Sequence, residues 1–257
     1  MLVTAKHTDT HGSAEASTVC GFDRALPTAR LLSPKAILEF VMALGLLILV
    51  SPLLLVAALL VKLTSRGPVI YSQTRLGLNG RPFSLFKIRT MIHDCESLTG
   101  ARWSIPGDPR ITPIGHWLRR THLDELPQLW NVLRGEMSLV GPRPERPEFV
   151  PGLERAIPPY RLRLLVRPGL TGLAQVQLPA DTDLTSVRRK LLYDLYYVRH
   201  HGVWLDLRLL VITAIAVFRM PSPWMLRTLR IPGPNRVEGA DHPWGGQLPS
   251  ASHLQAA

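Results

Sequence analysis

The sequence predicts an α+β protein that is mostly α. Its parts are a membrane-embedded re-entrant helix, a small antiparallel β-hairpin, and a helical domain with interfacial amphipathic helices. Three observations carry that prediction. Phe40 to Val61 is a run of 22 residues without a charge, interrupted near its middle by Ser51-Pro52. Asn79-Gly80 lies between two apolar-rich stretches, a strong short-range hairpin signal. Apolar residues recur at helical spacing over 121–135 and again over 188–218.

Residues 1–33 carry small and polar residues without periodicity and are expected to form a flexible N-terminal tail. A membrane helix is expected over 34–63. As a straight helix its uncharged run would reach roughly 33 Å, enough to cross a bilayer. It is too long for the core of a secretory signal, and no small-residue cleavage site follows it. Pro52 has no N–H, so the carbonyl of Ile48 loses its helical partner, and the Ser51 hydroxyl is placed to satisfy a freed group. Arg24, Arg30 and Lys35 precede the run, and Lys62, Arg66, Arg75 and Arg81 follow it. Basic flanks prefer the cytoplasmic side, so both ends favour the same side. The helix is therefore expected to break at Ser51-Pro52 and to leave by the face it entered. The alternative is a kinked spanning helix.

A second unit over 64–220 is expected on the cytoplasmic face. It starts with a hairpin over 67–91, around the Asn79-Gly80 turn. A mixed stretch follows over 92–118, with a loop at Ile105-Pro106-Gly107-Asp108-Pro109. Leu126, Leu129, Trp130 and Leu133 predict one helix over 121–135, with Thr121 and Asp124 as a capping box and Gly135 as its stop. A Pro-Arg loop spans 141–147. Arg155 to Val166 reads as a basic, apolar helix that Arg167-Pro168-Gly169 ends. Arg188 to Phe218 reads as helical with a break near His200-His201-Gly202. Its second half, from Trp204, suits either a core helix or one lying on the bilayer. Residues 221–257 are rich in Pro and Gly and are expected to be a loose tail.

Composition narrows the function. Among 257 residues, 30 Lys+Arg against 19 Asp+Glu give a net charge of +11, which asks for an anionic partner. A hydrophobic share of 46% excludes a wholly disordered chain. Aromatics form no stacking stripe, and nucleic-acid binding leaves residues 40–61 without a purpose, so nucleic acid is set aside. Cys20 and Cys95 make neither a CxxC nor a disulfide framework. A P-loop, GxGxxG, HExxH and GxSxG are all absent.

The strongest chemical candidate is Asp124-Glu125. Nearby Arg119 and Arg120 are expected to keep Asp124 ionised and therefore nucleophilic. An aspartate can attack phosphorus and hold a phosphoryl group, and a neighbouring glutamate can hold Mg²⁺. The plain alternative is a helix N-terminus decorated with acids. Gly141-Pro142-Arg143-Pro144 presents an arginine on a rigid loop, suited to phosphate. Lys87, Arg89, Arg163 and Arg167 add cations. Together they suggest a diphosphate site at a lipid boundary. Asp181-Thr182-Asp183 has the DxD form of many nucleotide-sugar glycosyltransferases, but no apolar strand precedes it. Asp94 with Glu96 is a second acidic candidate, and His200-His201 reads as a helix-end pair.

Three stretches carry a resemblance. They are Lys87-Ile88-Arg89-Thr90-Met91, the long run from Leu123-Asp124-Glu125-Leu126-Pro127 to Gly141-Pro142-Arg143-Pro144, and Arg167-Pro168-Gly169-Leu170-Thr171-Gly172-Leu173-Ala174-Gln175-Val176. From about Pro34 to Phe218 the chain resembles the bacterial sugar transferases, monotopic polyprenyl-phosphate phosphoglycosyl transferases of the compact type. The resemblance implies a re-entrant helix broken at Ser51-Pro52 and a catalytic Asp124-Glu125 dyad. Asp124 would be the nucleophile, Glu125 the partner of Mg²⁺, and Arg119 and Arg143 phosphate contacts. It implies transfer of a sugar 1-phosphate from a UDP-sugar to undecaprenyl phosphate at the cytoplasmic face of the bacterial inner membrane. UMP would leave, and exopolysaccharide, capsule or lipopolysaccharide assembly would begin. Inner-leaflet lipids would be partners, with room for downstream glycosyltransferases or a second copy of the chain. The sequence departs from many relatives at Gln177-Leu178-Pro179-Ala180, in place of an Asn-Gly-Arg-like loop. Two rivals from other classes are a catalytically inactive basic membrane scaffold and a glycosyltransferase that uses Asp181 and Asp183 and releases UDP.

Overall fold

The computed structural model describes residues 34–96, 100, 107–216 and 223–239. The expected tail over 1–33 lies outside the described residues, as do Ile105-Pro106 of the expected loop.

Helix α1 runs over Pro34–Thr64, within a residue of expectation. Among the described residues it is the helix long and apolar enough to cross a membrane. The expected division at Ser51-Pro52 is not seen, because α1 passes through it as one element. The local chemistry is as expected: the Ser51 hydroxyl donates to the Ile48 carbonyl at 2.8 Å, replacing the bond that Pro52 cannot make. Most of α1 is exposed, Ile48, Leu49, Leu55 and Leu63 strongly so. Its buried side chains are few and small. Ala43 enters the main core, while Ala57 and Val61 pack with Ile88 and Leu118. Glu39, also buried, accepts a hydrogen bond from Ser138 Oγ, and Lys35 pairs with Asp206 at 2.6 Å. A charged pair, a buried carboxylate and the core contacts thus fasten α1 to the rest of the protein.

Strands β1 (Ile70–Leu76) and β2 (Pro82–Ile88) form the expected antiparallel hairpin, with Tyr71 opposite Lys87 and Arg75 opposite Phe83. Asn79 (φ 55°) and Gly80 (φ 74°) both take left-handed conformations at the turn, the geometry that favours these two residue types. Helix α2 (Pro113–Arg120) follows, its N-terminus capped by Thr112 and its proline in the first turn.

The single helix expected over 121–135 is instead a 3-10 helix, Leu123–Gln128, continued by a short α3, Leu129–Leu133. Pro127 removes one of the N–H groups an α-helix would need there. Thr121 is not an N-cap. It closes α2, its hydroxyl donating to the carbonyls of Trp117 and Leu118. Gly135, at φ 74°, does end α3. Trp130, part of the apolar pattern, is 52% exposed, whereas the polar Gln128 and Asn131 are buried. Asn131 faces inward because β2 needs partners there. Its Nδ2 donates to the Ser84 carbonyl at 2.7 Å, and its Oδ1 accepts from the Phe86 N–H at 3.2 Å.

Short strands β3 (Ser138–Val140) and β4 (Gly169–Thr171) pair in parallel, which the sequence reading did not anticipate. Between them lie α4 (Val150–Ala156) and a 3-10 helix, Pro158–Leu165, in place of the helix expected over 155–166. Pro158-Pro159 stops α4 from continuing. The backbones at β3 and β4 approach so closely that a Cβ on Gly169 would lie 2.0 Å from the Gly141 nitrogen. Gly169→Ala is therefore expected to cost roughly 1–3 kcal/mol or more, read as a lower midpoint in thermal unfolding. An unchanged midpoint would show that the two segments can separate freely.

Helices α5 (Leu184–His200) and α6 (Val203–Ala216) reproduce the expected pair and its break. Tyr193, Leu195 and Leu191 of α5 fill the centre of the core, while Val203, Trp204, Leu207 and Val211 leave an apolar face of α6 exposed. The expectation of a loose tail over 221–257 is corrected for its described residues, 223–239. Helices α7 (Pro223–Thr228) and α8 (Pro234–Val237) are formed, with Ile231 and Val237 buried. Glu238 accepts from Tyr193 at 2.7 Å and pairs with Arg189 at 2.9 Å. Residues 240–257 lie outside the described residues.

Candidate active site

A cleft of about 730 Å³ opens between the hairpin, the end of α2 and the 3-10 helix at Leu123–Gln128. Lys87, Arg89, Arg119, Asp124, Glu125 and Arg143 all line it. Its position follows from three local features. The hairpin register sends Lys87 toward the dyad. His122 takes a left-handed conformation (φ 56°) that turns the chain from α2 into the 3-10 helix. That helix then presents Asp124 and Glu125 on its first turn.

The two carboxylates have different surroundings. Glu125 is held on both oxygens: Lys87 Nζ donates to Oε1 at 2.9 Å, Arg143 Nη1 donates to Oε2 at 3.1 Å, and Arg143 Nη2 also donates to Oε1. Burial pushes the Glu125 carboxyl up, but Arg143 and Lys87 outweigh it and hold the group well below the usual carboxylate range. Asp124 is only 6% exposed. Burial first, and the Glu125 charge second, push its carboxyl above the ordinary aspartate value, against Lys87, Arg119 and Arg143. This corrects the expectation that nearby arginines would dominate at Asp124. They lose to desolvation there, because the ion pairs are made with Glu125. Two adjacent carboxylates driven in opposite directions is the pattern of a site that divides two roles.

The loop carrying Arg143 is fixed from both sides. Arg163 Nη2 donates to the Arg143 carbonyl at 2.8 Å, and Arg75 Nη1 donates to the Pro144 carbonyl at 3.0 Å. Arg163 is itself buried in an ion pair with Asp194 at 2.7 Å and donates to the Tyr160 hydroxyl at 3.0 Å. It supports the loop and is not a cation of the cleft.

The pattern that defines the bacterial sugar transferases matches residues 30–220. The chain belongs to that family. It is 47% identical over 176 residues to an undecaprenyl-phosphate glucose phosphotransferase of Komagataeibacter xylinus, covering 65% of this chain and 32% of that protein. It is 45% identical over 158 residues to a UDP-N-acetylgalactosamine-undecaprenyl-phosphate N-acetylgalactosaminephosphotransferase of Aeromonas hydrophila, covering 62% of this chain and 37% of the relative. It is 41% identical over 187 residues to the exopolysaccharide production protein PSS of Rhizobium leguminosarum bv. phaseoli, covering 71% and 94%. The chain thus spans about a third of the first two relatives and nearly all of the third.

In this member of the family, five of the six predicted polar site residues outside the dyad and α1 can be placed by their contacts. Lys87 and Arg143 hold Glu125. Arg119 Nε donates to Thr90 Oγ1 at 2.8 Å at the edge of the cleft. Arg89 bonds the end of α1. Arg163 is internal, as described. The sixth, Arg167, is not among the residues lining the cleft; its charge bears on Glu39 of α1. The Pro168-Gly169 backbone is tied to β3 and the Pro142 carbonyl, and this keeps Arg167 away from the dyad. Asp181 and Asp183 also lie outside the dyad cleft. Asp181 pairs with Lys190, and Asp183 caps α5 in a capping box with Ser186. Glu96 pairs with Arg146 at 2.8 Å and Asp94 with His93 at 3.0 Å, so these two acids of the cleft lining have separate partners. His200 and His201 bond backbone carbonyls at the end of α5, as expected of a helix-end pair.

Sequence reasoning missed Tyr71, Arg75, Arg110, His122 and Arg146 in the cleft lining. The hairpin register could have found two of them. Tyr71 pairs across from Lys87, and Arg75 lies on the same face four residues on. For Mg²⁺, no group of three or more His, Cys, Asp or Glu able to hold a metal occurs among the described residues. Mg²⁺ in phosphoryl-transfer sites commonly takes one or two carboxylates and completes its shell with substrate phosphates. Glu125 Oε2, which among the described residues accepts from Arg143 alone, keeps a lone pair for such an ion, so the donor set fits that arrangement.

Proposed function

We propose that this protein transfers a sugar 1-phosphate from a UDP-sugar to undecaprenyl phosphate through a covalent intermediate on Asp124. The observation that carries this reading is the divided dyad: Glu125 is locked by two cations, and Asp124 stands beside it in a cation-lined cleft next to the end of an apolar helix. An Asp124 oxygen attacks the sugar-bearing phosphorus, and the bond to the bridging oxygen breaks. UMP leaves with that electron pair. An oxygen of the lipid phosphate then attacks the same phosphorus, the bond to Asp124 breaks, and the carboxylate is restored. Lys87, Arg119 and Arg143 stabilise charge on the transferring group, the main protein contribution in phosphoryl transfer. Mg²⁺, held by Glu125 and the donor's phosphates, would neutralise diphosphate charge. In this reading α1 is embedded in the inner membrane with the cleft at its cytoplasmic face, and the apolar face of α6 rests on the membrane surface.

The test is to weigh the intact protein, in lipid nanodiscs with Mg²⁺, after exposure to a panel of UDP-sugars without acceptor. A sugar-phosphate adduct with release of UMP is expected, and the donor that forms it names the sugar. Release of UDP would instead favour a glycosyltransferase, and the absence of adduct and UMP with every donor, even after adding undecaprenyl phosphate, would sink the covalent reading.

The pH profile is a second expectation. Asp124 must lose its proton to attack, and its carboxyl sits above the ordinary aspartate value. The acid limb of kcat/KM should therefore begin at a higher pH than an unshifted aspartate would give. Lys87→Met removes a charge that lowers the Asp124 pKa, so it should move that limb further upward. A limb that stays still or moves down in Lys87→Met would contradict the assignment.

A further inference from the structure

Arg89 differs from the other cleft cations in what it touches. Lys87 and Arg143 sit on Glu125, whereas Arg89 Nη2 donates to the Ser65 carbonyl at 3.0 Å and to Ser65 Oγ at 2.8 Å, directly after α1 ends. Arg89 is 5% exposed, and its Nε and Nη1 have no hydrogen-bond partner among the described residues. Buried, unsatisfied donors on a charged group are costly and call for an anion. Gly67 makes room for them. It takes φ 107°, and a Cβ there would lie 2.1 Å from Arg89 Nη1 and 2.5 Å from the His93 ring. The chain therefore turns out of the apolar helix over a glycine, with a half-satisfied guanidinium and an imidazole packed beside it. Arg89 and His93 both line the same cleft as Asp124.

We propose that Arg89 anchors the phosphate monoester of the lipid acceptor, through its unfilled donors. The inference rests on the two-step reading above and gives the second step its own phosphate position. The charges that bear most on Asp124 are Glu125, Lys87, Arg119 and Arg143, which places the donor's cations around the dyad. The acceptor reaches the site differently. Its prenyl chain stays in hydrocarbon, so its phosphate can reach only headgroup depth. Ser65 lies four residues past Val61, the end of the uncharged run, or about 6 Å along a helix axis. Arg89, bonded to Ser65, is thus the cleft cation tied to the depth where a lipid phosphate arrives.

The test measures retention of undecaprenyl phosphate, against undecaprenol, by the full-length protein released from phosphatidylcholine nanodiscs in native mass spectrometry. Wild type should retain the phosphate form in preference to the alcohol. Arg89→Gln should lose that preference by roughly tenfold to a hundredfold, the worth of one charge-assisted hydrogen-bonded contact. Arg89→Lys should fall between. The sugar-phosphate adduct should still form on Arg89→Gln when only donor is supplied, while the KM for undecaprenyl phosphate rises. Arg89→Gln that retains the lipid as wild type does would overturn the proposal. So would a variant that loses adduct formation as fully as lipid retention, since Arg89 would then serve the donor or the fold. Displacement of the lipid by an equal concentration of inorganic phosphate would assign the site to free phosphate instead. Should Arg89→Gln fail to fold, Arg89→Lys, which keeps a donor for Ser65, decides by the same ratio. If wild type retains the lipid through Arg89 but forms no adduct, the covalent reading fails and the lipid-phosphate site stands.

Discussion

Asp124→Asn is expected to abolish both adduct formation and turnover while leaving the fold at least as stable as wild type. The amide is nearly isosteric but is a poor nucleophile, so the rate should drop by roughly three orders of magnitude or more. Stability should move the other way. The folded protein raises the Asp124 pKa through burial and through Glu125, so the ionised carboxylate is less favourable folded than unfolded. Such a group weakens the fold as pH rises through the unfolded value and costs most above the folded one. Removing it should therefore raise the thermal midpoint at neutral pH, and the gain should vanish in acid, where wild type is protonated as well. Glu125 runs in the opposite sense. Its depressed pKa contributes stability above the unfolded value, which is lost as pH falls through the folded one. Substantial turnover in Asp124→Asn would refute the nucleophile. A lower midpoint at neutral pH would refute the electrostatic account of the dyad. An active site that holds its nucleophile at a cost to folding is a common compromise between stability and activity.

Much of this architecture is legible in the sequence, where local chemistry decides. The uncharged run locates α1, Asn79-Gly80 locates the hairpin and its register, and His200-His201-Gly202 locates the break between α5 and α6. The dyad and Arg143 are legible as a cluster, because one continuous motif over 123–144 carries all three. What is not legible depends on partners far along the chain. The inward turn of Asn131 follows from Ser84 and Phe86 on the hairpin edge, more than forty residues earlier in the chain. Strands of three residues, β3 and β4, have no periodicity to read, and their pairing is set by the close approach of Gly141 and Gly169. The direction of the Asp124 shift depends on how deeply the site is buried, which no list of neighbouring charges reveals. Arg163 and Arg167 look like further phosphate ligands because sequence proximity does not separate a cation that faces a cleft from one that supports it.

Arg163 also carries the largest expected effect on stability. Arg163→Met leaves Asp194 buried, without the partner that gives it two contacts, at 2.9 Å from Nε and 2.7 Å from Nη2. Breaking a buried pair from one side costs about 3–5 kcal/mol, which corresponds to a fall in thermal midpoint of roughly 10 °C for a domain of this size. A second consequence falls on the reaction. The Arg143 carbonyl loses its bond to Arg163 Nη2, so one of the ties that fix the Gly141–Pro144 loop is gone. Arg143 should then hold Glu125 less firmly, and activity per folded molecule should fall. The double variant Arg163→Met/Asp194→Leu separates the two effects. Replacing both partners by apolar side chains removes the stranded charge and should recover most of the midpoint. It restores no donor to the Arg143 carbonyl, so the activity deficit should persist. Recovery of activity together with stability would mean that Arg163 serves only the core. A deficit that outlasts the recovered fold would mean that a buried ion pair on α5 and the neighbouring 3-10 helix sets the position of a phosphate-facing arginine.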